Sequence, residues 1–108
     1  MTDQLARYMD LLSARQKLVA SNIANIDTPG YRSKDIDFQA EFQSLAQGKA
    51  PDVIDTPGLA VKSDGNNVSL DREARLLSEN ALRFSIASNL MKSQFKMVEA
   101  AIKEGAST

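Results

Sequence analysis

Leu5, Met9, Leu12, Val19, Ile23 and Ile26 recur at alternating steps of four and three residues, with the polar Gln16 completing the series. That is a heptad seam with one interruption, and it predicts a helix from about residue 3 to 26, roughly 36 Å long at 1.5 Å per residue. Thr2 or Asp3 is the expected N-cap. The same stepping returns in the last third through Leu70, Ala74, Leu77, Ala81, Phe84, Ser88, Met91, Phe95, Val98 and Ile102. A second helix is expected over about 71 to 104, roughly 50 Å long. Ser69 or Asp71 should cap it, Glu73 should favour its first turn, and Gly105 should close it. Leu76, Leu82, Ile86, Leu90 and Met97 flank this second seam and widen its apolar face. The shorter helix is too short to cover so broad a face. Either the middle of the chain folds back over it, or other subunits do, and the pattern alone does not choose.

The middle, residues 31 to 69, is of another kind. Ile36, Phe38, Phe42 and Leu45 form a short amphipathic stretch that ends at Gly48 and Pro51. Beyond it, alternation in "GLAVKS" and "NNVSL" around Asp64-Gly65 suggests a short, weak hairpin at most. A connector of this length with little structure of its own is expected to be mobile in the isolated chain. The expected division is therefore 1–30 for the first helix and its turn, 31–69 for the irregular segment, and 70–108 for the long helix, together one domain. The fold class is mainly α, with two long helices pairing as an antiparallel coiled coil.

The pentapeptide "IDTPG" occurs at 26–30 and again at 54–58. Pro followed by Gly suits a type II turn, in which Gly30 takes a positive φ. Pro29 disfavours αR at Thr28, so the first helix should stop near Ile26 or Asp27. Asn22 and Asn25 share a face there and can offer amide groups to the carbonyls left unpaired, while Tyr31 packs back.

Composition removes several classes of function. The 108 residues carry a formal net charge of −1, and residues 71 to 108 mix six basic with five acidic side chains. No basic stripe is present, so nucleic acid is not an expected partner. There is no Cys and no His, which excludes a disulfide framework and leaves no thiolate or imidazole for catalysis or metal binding. Asp35 and Asp37 form a close carboxylate pair, but with no phosphate loop or base beside them they read as a solvated charged loop. Met9, Met91 and Met97 read as packing residues. No enzyme, cofactor, metal or small-molecule substrate is expected. The first ten residues do not read as a cleaved secretory signal, and no run is apolar enough to span a bilayer.

The segment "LVASNIANIDTPGYRSKDIDF" resembles the N-terminal signature of the axial proteins of the bacterial flagellum, the rod and hook family. Asn22, Ile23, Asn25, Thr28, Pro29, Gly30 and Tyr31 carry it. "GNNVSLDRE" and "NALRFSIASNLMKSQFKMVEAAI" are similar to the C-terminal end of the proximal-rod branch, and the likeness covers residues 11–38 and 64–103. The Arg-Ala-Tyr-Glu-like ending usual in distal-rod and hook relatives is missing.

The resemblance implies a structural subunit of the basal-body rod, the drive shaft that crosses the periplasm. It also implies export as an unfolded chain through the flagellar apparatus without a cleaved signal. Implied partners are copies of itself, other rod proteins, and membrane-ring and rod-junction components. In this family the end helices lie against each other. Leu5, Met9, Leu12, Val19 and Ile26 would then face Leu77, Ala81, Phe84, Met91, Phe95, Val98 and Ile102 as mated assembly seams. Gln16 and Ser88 would set register, and other subunits would cover the flanking stripe. The alternative from the heptads alone is a soluble coiled-coil adaptor or dimeric interaction module, which leaves the two end motifs unexplained.

Overall fold

A computed structural model describes residues 2–44 and 49–107. Leu45 and Gly48 of the expected amphipathic stretch lie outside the described residues. The first helix, α1 (Thr2–Ala24), already includes both expected cap residues, so neither Thr2 nor Asp3 is the flanking cap. It stops slightly before the expected point because its last turn tightens. The Asn25 amide is shared between the Ser21 and Asn22 carbonyls, and the Ile26 amide reaches only to Ile23. After β1 (Lys34–Asp35) comes a short helix, α2 (Phe38–Gln43), capped by Asp37, whose carboxylate accepts from the Ala40 amide at 3.2 Å. Strand β2 (Ile54–Asp55) pairs antiparallel with β1, Lys34 opposite Asp55 and Asp35 opposite Ile54.

The strand pairing therefore differs from the expected hairpin. Asp64-Gly65 does form a tight turn, with Gly65 at φ 86° and its amide donating to the Lys62 carbonyl at 3.0 Å. No strand flanks it. The loop's polar groups instead reach back to the end of α1, and that competes with ladder pairing.

The last helix, α3 (Leu70–Ser107), is 38 residues long. Ser69 caps it, its hydroxyl accepting from the Arg72 amide at 3.3 Å. Gly105 lies within the helix and does not close it. Without a left-handed φ, that glycine is an ordinary helical residue. At 1.5 Å per residue α3 is about 57 Å long and α1 about 34 Å. The molecule measures 71 × 24 × 17 Å, with a radius of gyration of 18.4 Å. A compact chain of this length would have about 13 Å. The shape is set by one helix running well past the other.

The core is small: Leu11, Leu12 and Val19 of α1, Ile36, Val68, and Leu76 and Ala87 of α3. Under the first half of α1, Tyr8 meets Phe38 and Phe42 edge-on at 5.5 and 5.9 Å. The buried Arg7 donates to the Lys49 carbonyl at 2.9 Å and pairs with Glu41. This ties α2 and the chain after it onto α1.

The face of α3 turned to α1 is not the expected seam. Its buried residues are Glu73, Leu76, Asn80 and Ala87, while Leu77, Phe84, Phe95, Val98 and Ile102 are exposed. The mating of the two apolar seams within one chain is thus corrected by a rotation of α3. Glu73 and Asn80 turn inward to bond Asn22 and Gln16, and the apolar seam moves to the shoulder of the contact. Gln16 does sit at a register point, with Asn80 donating to it at 3.2 Å, so its partner is Asn80 and not a second seam position.

Candidate assembly site at the helix junction and along the uncovered helix

The signature residues converge where α1 ends and α3 begins. Asn22, 0% exposed, uses its full bonding capacity. Its amide donates to the Lys34 carbonyl at 2.8 Å and to Glu73 Oε1 at 3.1 Å. Its oxygen accepts from the Lys34 amide at 2.9 Å and from the Tyr31 hydroxyl at 3.0 Å. Asn22 thus binds the chain leaving the turn as a neighbouring strand would, and does not cap the carbonyls of its own helix as its position suggested. Asn25 does bond within the helix, donating to the Ser21 carbonyl at 2.8 Å and accepting from Thr28 Oγ1 at 3.0 Å.

The open carbonyls at the end of α1 are closed from a distance. Asn66 donates to the Asn25 and Thr28 carbonyls, both at 2.9 Å, while its oxygen accepts from the Val68 amide. The next residue, Asn67, accepts from the Ser33 amide. Asn66, the first asparagine in "GNN", is therefore the cap for the helix ending in "NIAN", some forty residues earlier in the chain. Gly30 has φ 75°, and Tyr31 donates to the Thr28 carbonyl at 3.2 Å, which closes the Thr-Pro-Gly turn. The Gly30 amide in turn donates to the Asp64 carbonyl at 2.8 Å, locking one turn onto the other.

Beneath the turns lies a charged cluster that the composition concealed. Asp35 is buried and not part of a solvated loop. Its carboxylate takes two parallel bonds from Arg15, at 3.0 and 2.9 Å, a third from Arg72 and a fourth from the Ile36 amide at 2.8 Å. Burial pushes its pKa up, but the Arg15, Ile36 and Arg72 donors outweigh burial and hold it below the ordinary value of 3.8. Arg72 also pairs with Glu73 at 3.0 Å, and Glu73 accepts from Ser33. Ser33 meets the hydroxyl of Thr56, from the second "IDTPG", at 3.1 Å. The second copy of the pentapeptide is thus a second turn of the same kind, with Gly58 at φ 76°, whose threonine anchors β2 under the junction. Arg15 lies outside the quoted family segments, and Ser33, Arg72, Glu73 and Asn80 lie within them without a bonding role that the segments reveal. Their role is set by pairing across the fold, which no local pattern records.

The expected seam residues fall into two groups. Leu12 and Val19 are buried against α3, and Leu5, Met9, Ile23, Ile26 and Met91 are half-buried. Leu77, Ala81, Phe84, Phe95, Val98 and Ile102 face outward, as do Leu82, Ile86, Leu90 and Met97 around the helix. Between the helices Leu12, Ser13, Gln16, Asn80, Ala81 and Phe84 line an open groove. An exposed apolar surface broader than one seam marks a place where other chains can pack. Among the described residues, no His, Cys, Asp or Glu cluster is arranged to hold a metal ion, and no helix is long and apolar enough to cross a membrane.

Comparison with known proteins matches this junction. The sequence model of the family described as "Flagella basal body rod protein" matches residues 9–32, the second half of α1 and the Thr-Pro-Gly turn. The flagellar basal body rod protein FlgB of Borrelia hermsii is 32% identical, over 94% of this chain and 94% of its own. The chain belongs to the flagellar basal-body rod family. The FlgB proteins of Escherichia coli K12 and of Salmonella typhimurium are 28% and 32% identical, over 90% and 82% of this chain and 88% and 82% of theirs. This rod protein is a structural subunit of the flagellar basal body, and it assembles with other rod components there.

Proposed function

We propose that the protein is a subunit of the proximal rod and helps transmit torque by helix packing. It acts as a structural element and not as an enzyme. The observation that supports this most directly is the Asn22–Glu73 bond, which ties the N-terminal signature to the start of the C-terminal one while leaving most of α3 uncovered. Rigidity at one end and bare apolar surface along the rest suit a unit that is completed by neighbours. Burying one Leu- or Phe-sized side chain contributes roughly 1.5 to 3 kcal/mol, whereas an exposed ion pair contributes at most about 1 kcal/mol. Apolar burial by the outward seam, Leu77, Ala81, Phe84, Phe95, Val98 and Ile102, then dominates assembly. The partners are copies of this chain, other rod proteins, and components of the membrane ring and rod junction. The chain reaches the rod through the flagellar export apparatus without a cleaved signal, threading as an unfolded polypeptide that folds at the junction once it arrives.

Deletion of the gene, with electron microscopy of isolated basal bodies, tests this reading. Membrane rings without a rod, restored by the wild-type gene, are expected. Intact rods in a deletion strain would place the protein elsewhere.

A further inference from the structure

Asp64-Gly65 is the one place in the sequence where an Asp or Asn precedes a Gly. That pairing has a chemistry of its own. The side-chain carboxyl of an aspartate can be attacked by the amide nitrogen of the next residue, closing a five-membered imide. A glycine leaves the approach open, because it has no Cβ and turns freely. Asp27, Asp35 and Asp55 are followed instead by the β-branched Thr28, Ile36 and Thr56, which crowd and stiffen the same approach.

In the folded chain this dipeptide is held on three sides. The Gly65 amide donates to the Lys62 carbonyl at 3.0 Å, and the Asp64 carbonyl accepts from the Gly30 amide at 2.8 Å. Asp64 Oδ1 accepts from the Asn66 amide at 3.0 Å. Ring closure has to turn the peptide between residues 64 and 65 until its nitrogen meets Cγ, and that turn breaks the bonds at both of its ends. Asp64 is exposed, so water and protons reach it. What the fold withholds is movement.

We propose that Asp64-Gly65 is a self-modification site, live in the unfolded chain and shut by the helix junction, whose product cannot close that junction. The Gly65 nitrogen bonds to Cγ of the protonated carboxyl, and the amide hydrogen and the carboxyl hydroxyl leave as water. The imide then takes up water. Opening at the α-carbonyl of Asp64 leaves the chain running through the side-chain carbon, an isoaspartyl link of unchanged mass, and nothing is oxidised or reduced. The backbone gains a methylene, and a carboxylate replaces the carbonyl that the Gly30 amide binds. Gly65 has no slack to absorb the change, since even a Cβ there would stand 3.3 Å from the Gly30 Cα. Asn66 and Asn67 then lose their register with the Asn25 and Thr28 carbonyls and the Ser33 amide. Folding protects the site, and modification withdraws the chain from folding.

The test ages the purified full-length chain at near-neutral pH, in native buffer and in urea, and follows the tryptic peptide of residues 63–72 by chromatography and fragmentation mass spectrometry. In urea that peptide should split into two species of equal mass, one linked through the Asp64 side chain. In native buffer the split should be slower by about ten-fold or more, because it waits on local opening. Gly65→Ala should slow the reaction several-fold in urea, where the fold plays no part. Asn66→Ala should speed it in native buffer and leave the rate in urea unchanged, with circular dichroism verifying its helix content. The isoaspartyl chain, separated and returned to native buffer, should unfold at lower urea than the unmodified chain. Equal rates in the two buffers, isoaspartate formed mainly at another aspartate, or an isoaspartyl chain as stable as the original would each overturn the proposal. None of these outcomes touches the rod assignment, which rests on the basal-body experiment.

Discussion

A Cβ on Gly65 would sit 3.3 Å from the Cα of Gly30. Two turns that are far apart in the sequence are packed backbone to backbone, and the Gly30 amide donates to the Asp64 carbonyl between them. Both glycines have positive φ, 75° and 86°. They differ in their surroundings, because nothing lies within 4 Å of where a Cβ on Gly30 would be.

Substitution should separate the two. Gly30→Ala meets only backbone strain, about 1 to 2 kcal/mol for an L-residue held in the left-handed region. Gly58→Ala should match it, since that turn has φ 76° and equally open space. Gly65→Ala adds contact with a neighbouring backbone, and should lower the midpoint of urea unfolding more than either. Gly30→Val is worse than Gly30→Ala because a β-branched side chain tolerates positive φ poorly, and it should impair motility. Equal losses at Gly30 and Gly65 would show that the turns do not touch.

Asn22 should be the least replaceable of the signature polar residues. Asn22→Ala takes one bond each from the Lys34 amide, the Lys34 carbonyl, the Tyr31 hydroxyl and Glu73 Oε1, mostly out of water. Removing one side of a buried network typically costs about 3 kcal/mol. Asn25, whose bonds are at the surface, should cost about 1 kcal/mol or less when truncated. Asn22→Asp should also be poorly tolerated, because it sets a carboxylate against Glu73. Chemical denaturation of the three variants measures this order.

Acid should act through Asp35. Its pKa in the folded chain lies below the ordinary 3.8, so its contribution to stability is complete above that value. As pH falls through 3.8 towards the lower folded value, the unfolded chain takes up the proton first, and the contribution is lost. The Arg15 and Arg72 bonds fail together, since both end on this carboxylate. Asp35→Asn should therefore be less stable at neutral pH and show a flatter decline below about pH 4. Thermal unfolding of both chains from pH 7 to 2.5 reads the difference; parallel curves would remove Asp35 from the account.

The periodic parts of this fold were legible, and the cross-chain parts were not. Heptad stepping located both helices, and Thr-Pro-Gly located the turn, because each depends on neighbours in sequence. The rotation of α3 depends on Glu73 and Asn80 finding Asn22 and Gln16, and a polar residue's partner leaves no trace in an apolar count. Asp35 looked solvated for the same reason: its two arginines come from α1 and α3. Asn66 and Asn67 looked like hairpin residues, although their side chains are the cap of another helix and the clasp of Ser33. Polar residues specify this junction, and apolar ones mark what the chain leaves for others.

That division sets the final expectation, which concerns assembly. Phe95 and Lys92 lie within a turn of each other near the point where α3 outruns α1, and both are exposed. Neither should matter to the isolated chain: each alanine variant should unfold within about 0.5 kcal/mol of wild type, as surface substitutions do. In the rod they should part. A buried phenylalanine contributes roughly 1.5 to 3 kcal/mol per contact, repeated in every subunit, against at most about 1 kcal/mol for a surface ion pair. Phe95→Ala should reduce the yield of rods in isolated basal bodies more than Lys92→Ala, with Phe84→Ala beside it. Leu12→Ala gives the contrasting pattern, since its side chain is buried within the chain and its loss should cost about 2 to 5 kcal/mol before assembly begins. If Phe95→Ala and Lys92→Ala left equal numbers of rods, the outward stripe would be a passive surface, and the contacts that build the shaft would have to lie on α1.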